Sequence, residues 1–488
     1  MIKLIRIEIL KLFKHKSIYF IFLFLSLFCF ANNFLYKLDY DKDGRYKYDD
    51  AIDIKKEISV KKKELARYDV NNNDDKNIYV TTKTELDVYK GMNNYDKNSW
   101  QYIKYNDYLY SSLYDINYYT YINKDKRLYD DSINNYNKKI KYFKDNNWKY
   151  FVNEEKKELD NKLKDIKTTL KNTKDKGSRD ILNKEYKNIN NNLLIINYRI
   201  NKDINYSNNY LNRSLLKYQS SMKEIDNYKN KKLSFNKKID YYKLLSDYNI
   251  NKYIINNKVN ILKQNSLNYQ LRDIVADYEL FIVIIILLTT SILIGEEFNK
   301  GTIKLLLIKP FSRNKILASK FITSLVVIII TIIYLIINEL ILGTIMFGVS
   351  SLNIPVVIYD FNLDKLRIFN IFIYMFINIL SRLPMYMMLV IISYLVNLII
   401  ISGISSFAIT MLFYTFSEVI NSMIINYKIK IFKYIITLNW NFNNYLFGNL
   451  GNFEALNFKK SFFIYLFYVI ILLGLIFINF NKKNIKNV

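Results

Sequence analysis

Two blocks of apolar sequence separated by a long polar stretch constrain this chain most. Apolar residues dominate after the first sixteen positions and again from Leu280 onward, whereas charge and Asn concentrate between about residues 37 and 278. An apolar run of about 20 residues is long enough to cross a bilayer core of roughly 30 Å. The pattern therefore predicts an all-α membrane protein with six transmembrane helices and a large polar insert.

The apolar runs also set the predicted boundaries. We expect an amphipathic N-terminal helix over 1–16, transmembrane helix 1 over 17–36, the insert over 37–278, transmembrane helix 2 over 279–297, a coupling loop over 298–315, transmembrane helices 3–6 within 316–480, and a tail over 481–488. The fourth span, 369–400, contains Arg382 and Pro384, which favours a tilted or broken span with a re-entrant helix before Arg382.

The basic residues near the first span predict its orientation. Lys and Arg before a first span place the N-terminus in the cytoplasm, so the insert emerges outside the cell and six spans return the C-terminus inside. The lysines between 428 and 460 fit this topology less well. A cleaved signal peptide is the alternative, but the apolar run continues through Phe34 and Leu35 without a small-residue cleavage site.

The insert has the sequence pattern of long helices. It contains no proline and only three glycines. Apolar residues alternate at spacings of four and three on both sides of Gly177, which predicts an antiparallel coiled-coil hairpin that turns at that glycine. The alternative is that Asn-rich stretches leave parts of the insert loosely ordered. Residues 37–125 are rich in Tyr, Asn and Asp, and their spacing predicts no particular element.

The charge of the chain limits its partners. The net charge is +27, and roughly half of it lies in the insert. A basic outer domain suits contact with anionic membrane lipid or wall polymers, although lysine also keeps a polar domain soluble. We expect no nucleic-acid partner, because the basic surface is attached to membrane spans.

Catalytic motifs are missing from the sequence. It has no G-x-x-x-x-G-K-[ST] phosphate-binding loop and no G-x-S-x-G motif, and its single histidine, His15, excludes His-paired sites. The single cysteine, Cys29, excludes a disulfide framework or a metal-spaced cysteine cluster. We therefore expect a chain that is not an enzyme and binds no cofactor or metal itself.

The stretch Gly295 to Lys320, GEEFNKGTIKLLLIKPFSRNKILASK, carries the strongest functional signal. Gly301 permits a turn, Pro310 ends a short apolar helix, and Ser312 is placed to cap the next helix. The apolar row that includes Ile303 and Leu306 needs a partner surface. A plain cytoplasmic loop would explain the lysines but not this ordered sequence of turn, cap and apolar row.

The pattern E-E-F-x-K-G-T-I-K-L-L-L-I-x-P-x-S-R-x-K-I-L-x-S-K resembles the first cytoplasmic loop of type-2 ABC exporter permeases from Gram-positive bacteria. The resemblance implies that this loop contacts a separate ATPase subunit, which binds ATP and Mg, and that two permease copies or homologues pair. The length and tyrosine content of the insert differ from those of family members that have only a short loop between spans one and two. The residues assigned to coupling are Glu296, Glu297, Gly301, Thr302, Ile303, Leu306, Pro310, Ser312 and Arg313.

Polar residues within the predicted spans are a second group of candidates. Ionisable side chains are costly in lipid, so they often line a pathway or pair between helices. The candidates are Asn338, Glu339, Arg382 and Glu418. We expect Glu339 to pair with Arg382; the alternative is that Arg382 and Glu418 extend to the membrane surface.

Two functions follow from these observations. The first is the permease subunit of an ATP-driven exporter in the cell membrane, for which a peptide, a lipid, a drug or an ion are equally suitable substrates. The second is a membrane-anchored receptor or scaffold whose outer hairpin binds a ligand or a wall component without transport. Dependence of a partner ATPase on this chain distinguishes the two.

Overall fold

The computed structural model describes residues 1–41, 43–44, 53–72, 74–228, 234–299, 301, 311–427, 429–449 and 456–482. The described residues fall into two compact units. The membrane unit comprises those within 1–46, 233–242 and 261–488, and the insert unit comprises those within 47–232 and 243–260. Each unit has its own apolar core.

The membrane unit is all-α apart from one strand pair, and it contains six helices of membrane-spanning length and hydropathy, as the sequence predicts. The helix Ile2–Leu12 comes first. The six spans are Lys16–Asp39 (span 1), Glu279–Asn299 (span 2), Arg313–Phe347 (span 3), Ile371–Ile400 (span 4), Gly403–Asn426 (span 5) and Phe458–Lys482 (span 6). Short helices at Leu267–Arg272 and Ile274–Asp277 lead into span 2.

Spans 2 and 4 form the centre of the membrane unit. More than half of each is buried, whereas spans 1, 5 and 6 are mostly exposed. Span 4 packs against spans 2, 5 and 6, while span 1 and the N-terminal helix pack against span 3. Exposed apolar side chains on the outer spans match a lipid surrounding, in which apolar surface needs no cover.

Two features between spans 3 and 6 differ from the expectation. Span 4 is one continuous helix with Pro384 inside it, so the expected break or re-entrant helix before Arg382 is wrong. Strands β1 (Val356–Asp360) and β2 (Lys365–Phe369) form an antiparallel hairpin between spans 3 and 4, within a stretch for which no strand was predicted. Between spans 5 and 6 the chain forms short helical turns, Lys430–Tyr434, Ile436–Asn439 and Phe442–Gly448.

The insert is helical throughout its longer elements, including the part that the sequence leaves unassigned. Its helices are Ile54–Leu65, Lys76–Met92, Trp100–Tyr118, Lys126–Lys144, Trp148–Asn172, Lys176–Lys202, Tyr210–Tyr228 and Phe235–Asn257. Of the last helix, residues 243–257 belong to the insert unit. Aromatic residues build much of its core: Trp100 is almost fully buried, and its ring lies 4.8 Å from that of Phe143.

The predicted hairpin is confirmed, with a shifted turn. Helices Trp148–Asn172 and Lys176–Lys202 pack along a seam in which Ile166, Ile189 and Leu193 are buried. Gly177 lies inside the second helix, so the expected turn at Gly177 is wrong. The turn ends at Asp175, whose side chain accepts a 2.7 Å hydrogen bond from the backbone N–H of Ser178. That N–H lowers the pKa of Asp175, as expected for an N-cap carboxylate.

Candidate functional site

The N-terminal helix Ile2–Leu12 packs one face onto the membrane unit. Its buried residues are Leu4, Glu8 and Leu12, which share a face because they are spaced by four. Ile2 stays 83% exposed, and Leu10 is exposed as well. Glu8 is therefore a carboxylate between two buried leucines, and it needs a partner inside the protein.

A buried ammonium group provides that partner. Lys320 of span 3 has no exposed surface, and its Nζ lies 3.0 Å from Glu8 Oε1 and 2.7 Å from Glu297 Oε2. Lys11 forms a further ion pair with Glu297, which is also buried. Lys320 Nζ donates to the Leu293 carbonyl at 2.9 Å. We call these two lysines and two glutamates the junction.

The junction binds three helices together at one end of the membrane unit. Glu8 and Lys11 belong to the N-terminal helix, Glu297 to the end of span 2, and Lys320 to the first turns of span 3. Glu297 lies two residues before the end of span 2, and Lys320 lies seven residues after the start of span 3, so the two residues flank the loop between these spans. The ion pairs therefore join the N-terminal helix to both helices that flank this loop.

Span 2 changes its geometry where it meets the junction. Residues Ser291–Gly295 form a π-helical segment, a feature that often marks functional sites in helices. At its end the backbone touches the start of span 5: a Cβ added to Gly295 would lie 2.3 Å from Gly403 Cα and 2.6 Å from Asn397 Oδ1. Only glycine fits at this crossing, so spans 2 and 5 meet backbone to backbone beside the junction.

The structure describes five of the nine residues assigned to coupling. Glu297 is in the junction, and His15 Nδ1 lies 3.8 Å from Glu296 Oε1. Gly301 has a φ of +65°, which agrees with the expected turn. Ser312 accepts from the backbone N–H of Lys315, so the expected N-cap is confirmed.

Arg313 donates to the carbonyl of Asn481 at 2.7 Å and thereby places the end of span 6 beside the start of span 3. The other four assigned residues, Thr302, Ile303, Leu306 and Pro310, lie outside the described residues.

At the opposite end of the membrane unit, Arg382 pairs with Glu279, the first residue of span 2, and not with Glu339. The expected Glu339–Arg382 pair is therefore wrong. Glu279 Oε1 also accepts from the Tyr414 hydroxyl at 2.8 Å, which joins spans 2, 4 and 5. Glu418 lines a cleft of about 260 Å³ together with Glu279 and Tyr414.

The two remaining intramembrane candidates face span 1. Asn338 Oδ1 lies 3.0 Å from Ser26 Oγ, whose hydroxyl is also within 2.6 Å of Tyr334. Glu339 is fully buried and accepts a 3.0 Å hydrogen bond from Asn33 Nδ2. Both candidates therefore make polar contacts between spans 1 and 3.

Comparison with known proteins places the similarity mainly in the membrane unit. A family model described as protein of unknown function (DUF2705) matches residues 248–486, which include spans 2 to 6. Over 59 residues the chain is 44% identical to a Bacillus subtilis (strain 168) protein described as uncharacterized protein YhcI. That match covers 12% of this chain and 19% of the relative. No solved structure matches the chain.

Three residues of the junction were not among the predicted site residues. Glu8, Lys11 and Lys320 lie in apolar or amphipathic helices, and their partners are 286 and 312 positions away in the sequence. A signal for Glu8 was present, because it lies four residues from both Leu4 and Leu12 on one helical face. Lys320 ends the stretch with the strongest functional signal, but nothing in the sequence indicates that it pairs with Glu8.

Replacing Lys320 tests the junction. We expect Lys320→Met to destabilise the membrane unit by about 3–5 kcal/mol, because it leaves two buried carboxylates without their shared cation. Lys315→Met is the matched control, since Lys315 is exposed on the same helix. Thermal unfolding of the purified chain in detergent measures both; equal midpoints for the two variants would contradict the assignment.

Exchanging the charges of Glu279 and Arg382 tests the corrected pairing. Each single change, Glu279→Arg or Arg382→Glu, is expected to lower the unfolding midpoint, because it places like charges together in a buried site. The double variant recovers most of the loss. The comparison variant combines Arg382→Glu with Glu339→Arg and is expected to show no recovery; recovery there would restore the rejected pair.

Proposed function

We propose that this chain is the membrane-spanning permease subunit of an ATP-driven exporter. In this proposal a separate ATPase subunit binds ATP and Mg, contacts the coupling loop 298–315 from the cytoplasm, and drives movement of the spans. Both termini are cytoplasmic, the insert is extracellular, two permease copies or homologues pair in the cell membrane, and the outer spans contact membrane lipid. Intrinsic enzymatic activity is not part of this proposal.

The junction is the observation that carries the proposal. A loop that receives force from a partner must be tied firmly to the helices it moves. Here the loop is flanked by Glu297 and Lys320, whose ion pair is buried at 2.7 Å, and the N-terminal helix is joined to the same pair through Glu8. Buried ion pairs of this kind fix one arrangement of helices more than they add stability.

Two further features support a moving membrane subunit. Arg313 links the start of span 3 to the end of span 6 through the Asn481 carbonyl, so movement of the loop reaches the last span. The close crossing of Gly295 and Gly403 joins span 2 to span 5. The resemblance of the loop sequence to ABC permeases gives the class of partner, since the chain itself has no phosphate-binding loop.

The direct test is purification of the tagged chain from native membranes, followed by identification of any co-purifying ATPase and reconstitution in liposomes. We expect ATP turnover by that ATPase to depend on this chain. If no ATPase accompanies the chain, or if turnover is the same without it, the exporter proposal fails. A specific ligand retained by the insert in that case would favour the receptor or scaffold function.

A pair of matched glycines separates coupling from simple damage. Gly301 follows the end of span 2 and Gly348 follows the end of span 3. Both have positive φ (+65° and +74°), and a Cβ at either meets no atom within 4 Å. Valine at either position imposes similar backbone strain without a clash.

We expect Gly301→Val to lower the chain-dependent ATP turnover by about fivefold or more, because coupling free energies between two sites typically correspond to effects of at least that size. Gly348→Val should leave turnover near the wild-type value. Turnover in liposomes and the amount of co-purified ATPase are measured together. Equal losses in both variants would contradict a coupling role for the loop.

A further inference from the structure

A carboxyl group without a cation lies between spans 1 and 3. Glu339 is fully buried. Its Oε2 accepts from Asn33 Nδ2 at 3.0 Å and from the Tyr278 hydroxyl at 3.5 Å, both of them uncharged donors. Within the described part of the chain no Lys, Arg or His forms an ion pair with it, in contrast to the carboxylates of the junction.

None of the described groups that act on Glu339 carries a positive charge. Span 1 contributes Asn33 and Cys29, and the helix Ile274–Asp277 with the residue after it contributes Tyr278 and the acidic Asp277. Leu267 of the helix before these lies against Gly343 on the next turn of span 3. The charged group that acts on Glu339 is another acid, Asp277, which disfavours a negative charge on Glu339.

The hydrogen bonds around Glu339 are incomplete in one specific way. Glu339 Oε1 and Asn33 Oδ1 are both buried, and neither accepts a hydrogen bond from the described residues. Both are acceptors, so the site lacks donors and not acceptors. A proton bound to Glu339 supplies a donor and removes a charge whose burial without a partner is very costly.

We propose that Glu339 is a proton-binding site, protonated while spans 1 and 3 are packed together and deprotonated when they separate and water reaches it. On separation the carboxyl O–H bond breaks, and the proton passes to water. Packing of the two spans is then coupled to pH: alkaline conditions favour separation. The proposal does not depend on ATP-driven export, because it concerns a group at the far end of span 3 from the loop.

The effect on stability has a definite sign. The folded state holds one more proton than the unfolded state at neutral pH, so stability falls as the pH rises above the usual range of a glutamic acid. Asp277 also titrates, since burial and then the neighbouring Asp273 raise the pKa of Asp277 to about 6. Comparison with a variant in which only the ionisable group of Glu339 is removed cancels the contribution of Asp277.

The test is thermal unfolding of the full chain in detergent from about pH 5 to about pH 9, for wild type and Glu339→Gln. Glutamine has the shape of the neutral acid. We expect the midpoints to agree at acid pH and the wild type to unfold at least about 3 °C lower at the alkaline end. The control uses the Asp277→Asn background. There too, the chain with Glu339 should unfold at a lower temperature at alkaline pH than the double variant Asp277→Asn with Glu339→Gln.

Two results of this titration would overturn the proposal. One is a constant difference between the unfolding midpoints of wild type and Glu339→Gln at all pH values, which would mean that Glu339 is ionised throughout. The other is a wild-type midpoint that rises with sodium, against choline at equal ionic strength, while Glu339→Gln does not respond. That result would assign the site to an alkali cation.

A second measurement applies if Glu339→Gln does not fold. Hydrophobic carbodiimides react with protonated carboxyl groups in apolar surroundings, and mass spectrometry locates the product on the wild-type chain. We expect labelling at Glu339 that declines at alkaline pH and none at Glu297, whose charge is paired with Lys320. A folded chain that is not labelled at Glu339 at any pH would contradict the proposal.

Discussion

The membrane unit depends on one buried ammonium group. Lys320 meets two carboxylates and a backbone carbonyl, and without it Glu8 and Glu297 would be neighbouring negative charges in the protein interior. Attraction between opposite charges is strong in a medium of low dielectric constant. It offsets the cost of removing the charges from water only when the geometry of the ion pair is good. The ion pairs therefore specify how the N-terminal helix, span 2 and span 3 meet, and apolar packing fills the space around them.

The two ends of the membrane unit are held by different polar contacts. At the loop end, the junction and the Gly295–Gly403 crossing join the N-terminal helix with spans 2, 3 and 5. At the other end, Arg382, Glu279 and Tyr414 join spans 2, 4 and 5, while Glu339 faces span 1. Span 2 takes part in both ion-paired clusters, through Glu297 at one end and Glu279 at the other.

Sequence patterns predicted those parts of the fold that depend on local periodicity. Apolar runs gave the six spans to within a few residues at most ends, and the four-three spacing gave the seam of Ile166, Ile189 and Leu193. The β1–β2 hairpin was missed, because its strands are only five residues each and lie between two long apolar helices. Span 4 tolerates Pro384 without a break, since neighbouring helices compensate for the lost hydrogen bond in membrane helices.

The candidate site was predictable only in part. Ser312 as a cap and Gly301 as a turn follow from local conformational preferences, and both agree with the structure. The partners of Lys320 and Arg382 depend on which helices pack side by side, which a single sequence does not contain. Glu339 and Arg382 are opposite charges in adjacent predicted spans, yet they lie in different polar clusters. A prediction based on charge complementarity alone therefore paired Glu339 with Arg382 incorrectly.

The most direct measurement of the central claim is hydrogen–deuterium exchange of the backbone amides of the helix Ile2–Leu12. If Lys320 holds this helix against spans 2 and 3, Lys320→Met increases exchange in the helix by at least about tenfold, while Lys315→Met leaves it unchanged. Unchanged exchange in Lys320→Met, in a chain that still inserts and folds, would show that the N-terminal helix is held by apolar contacts and that the ion pairs do not determine its position.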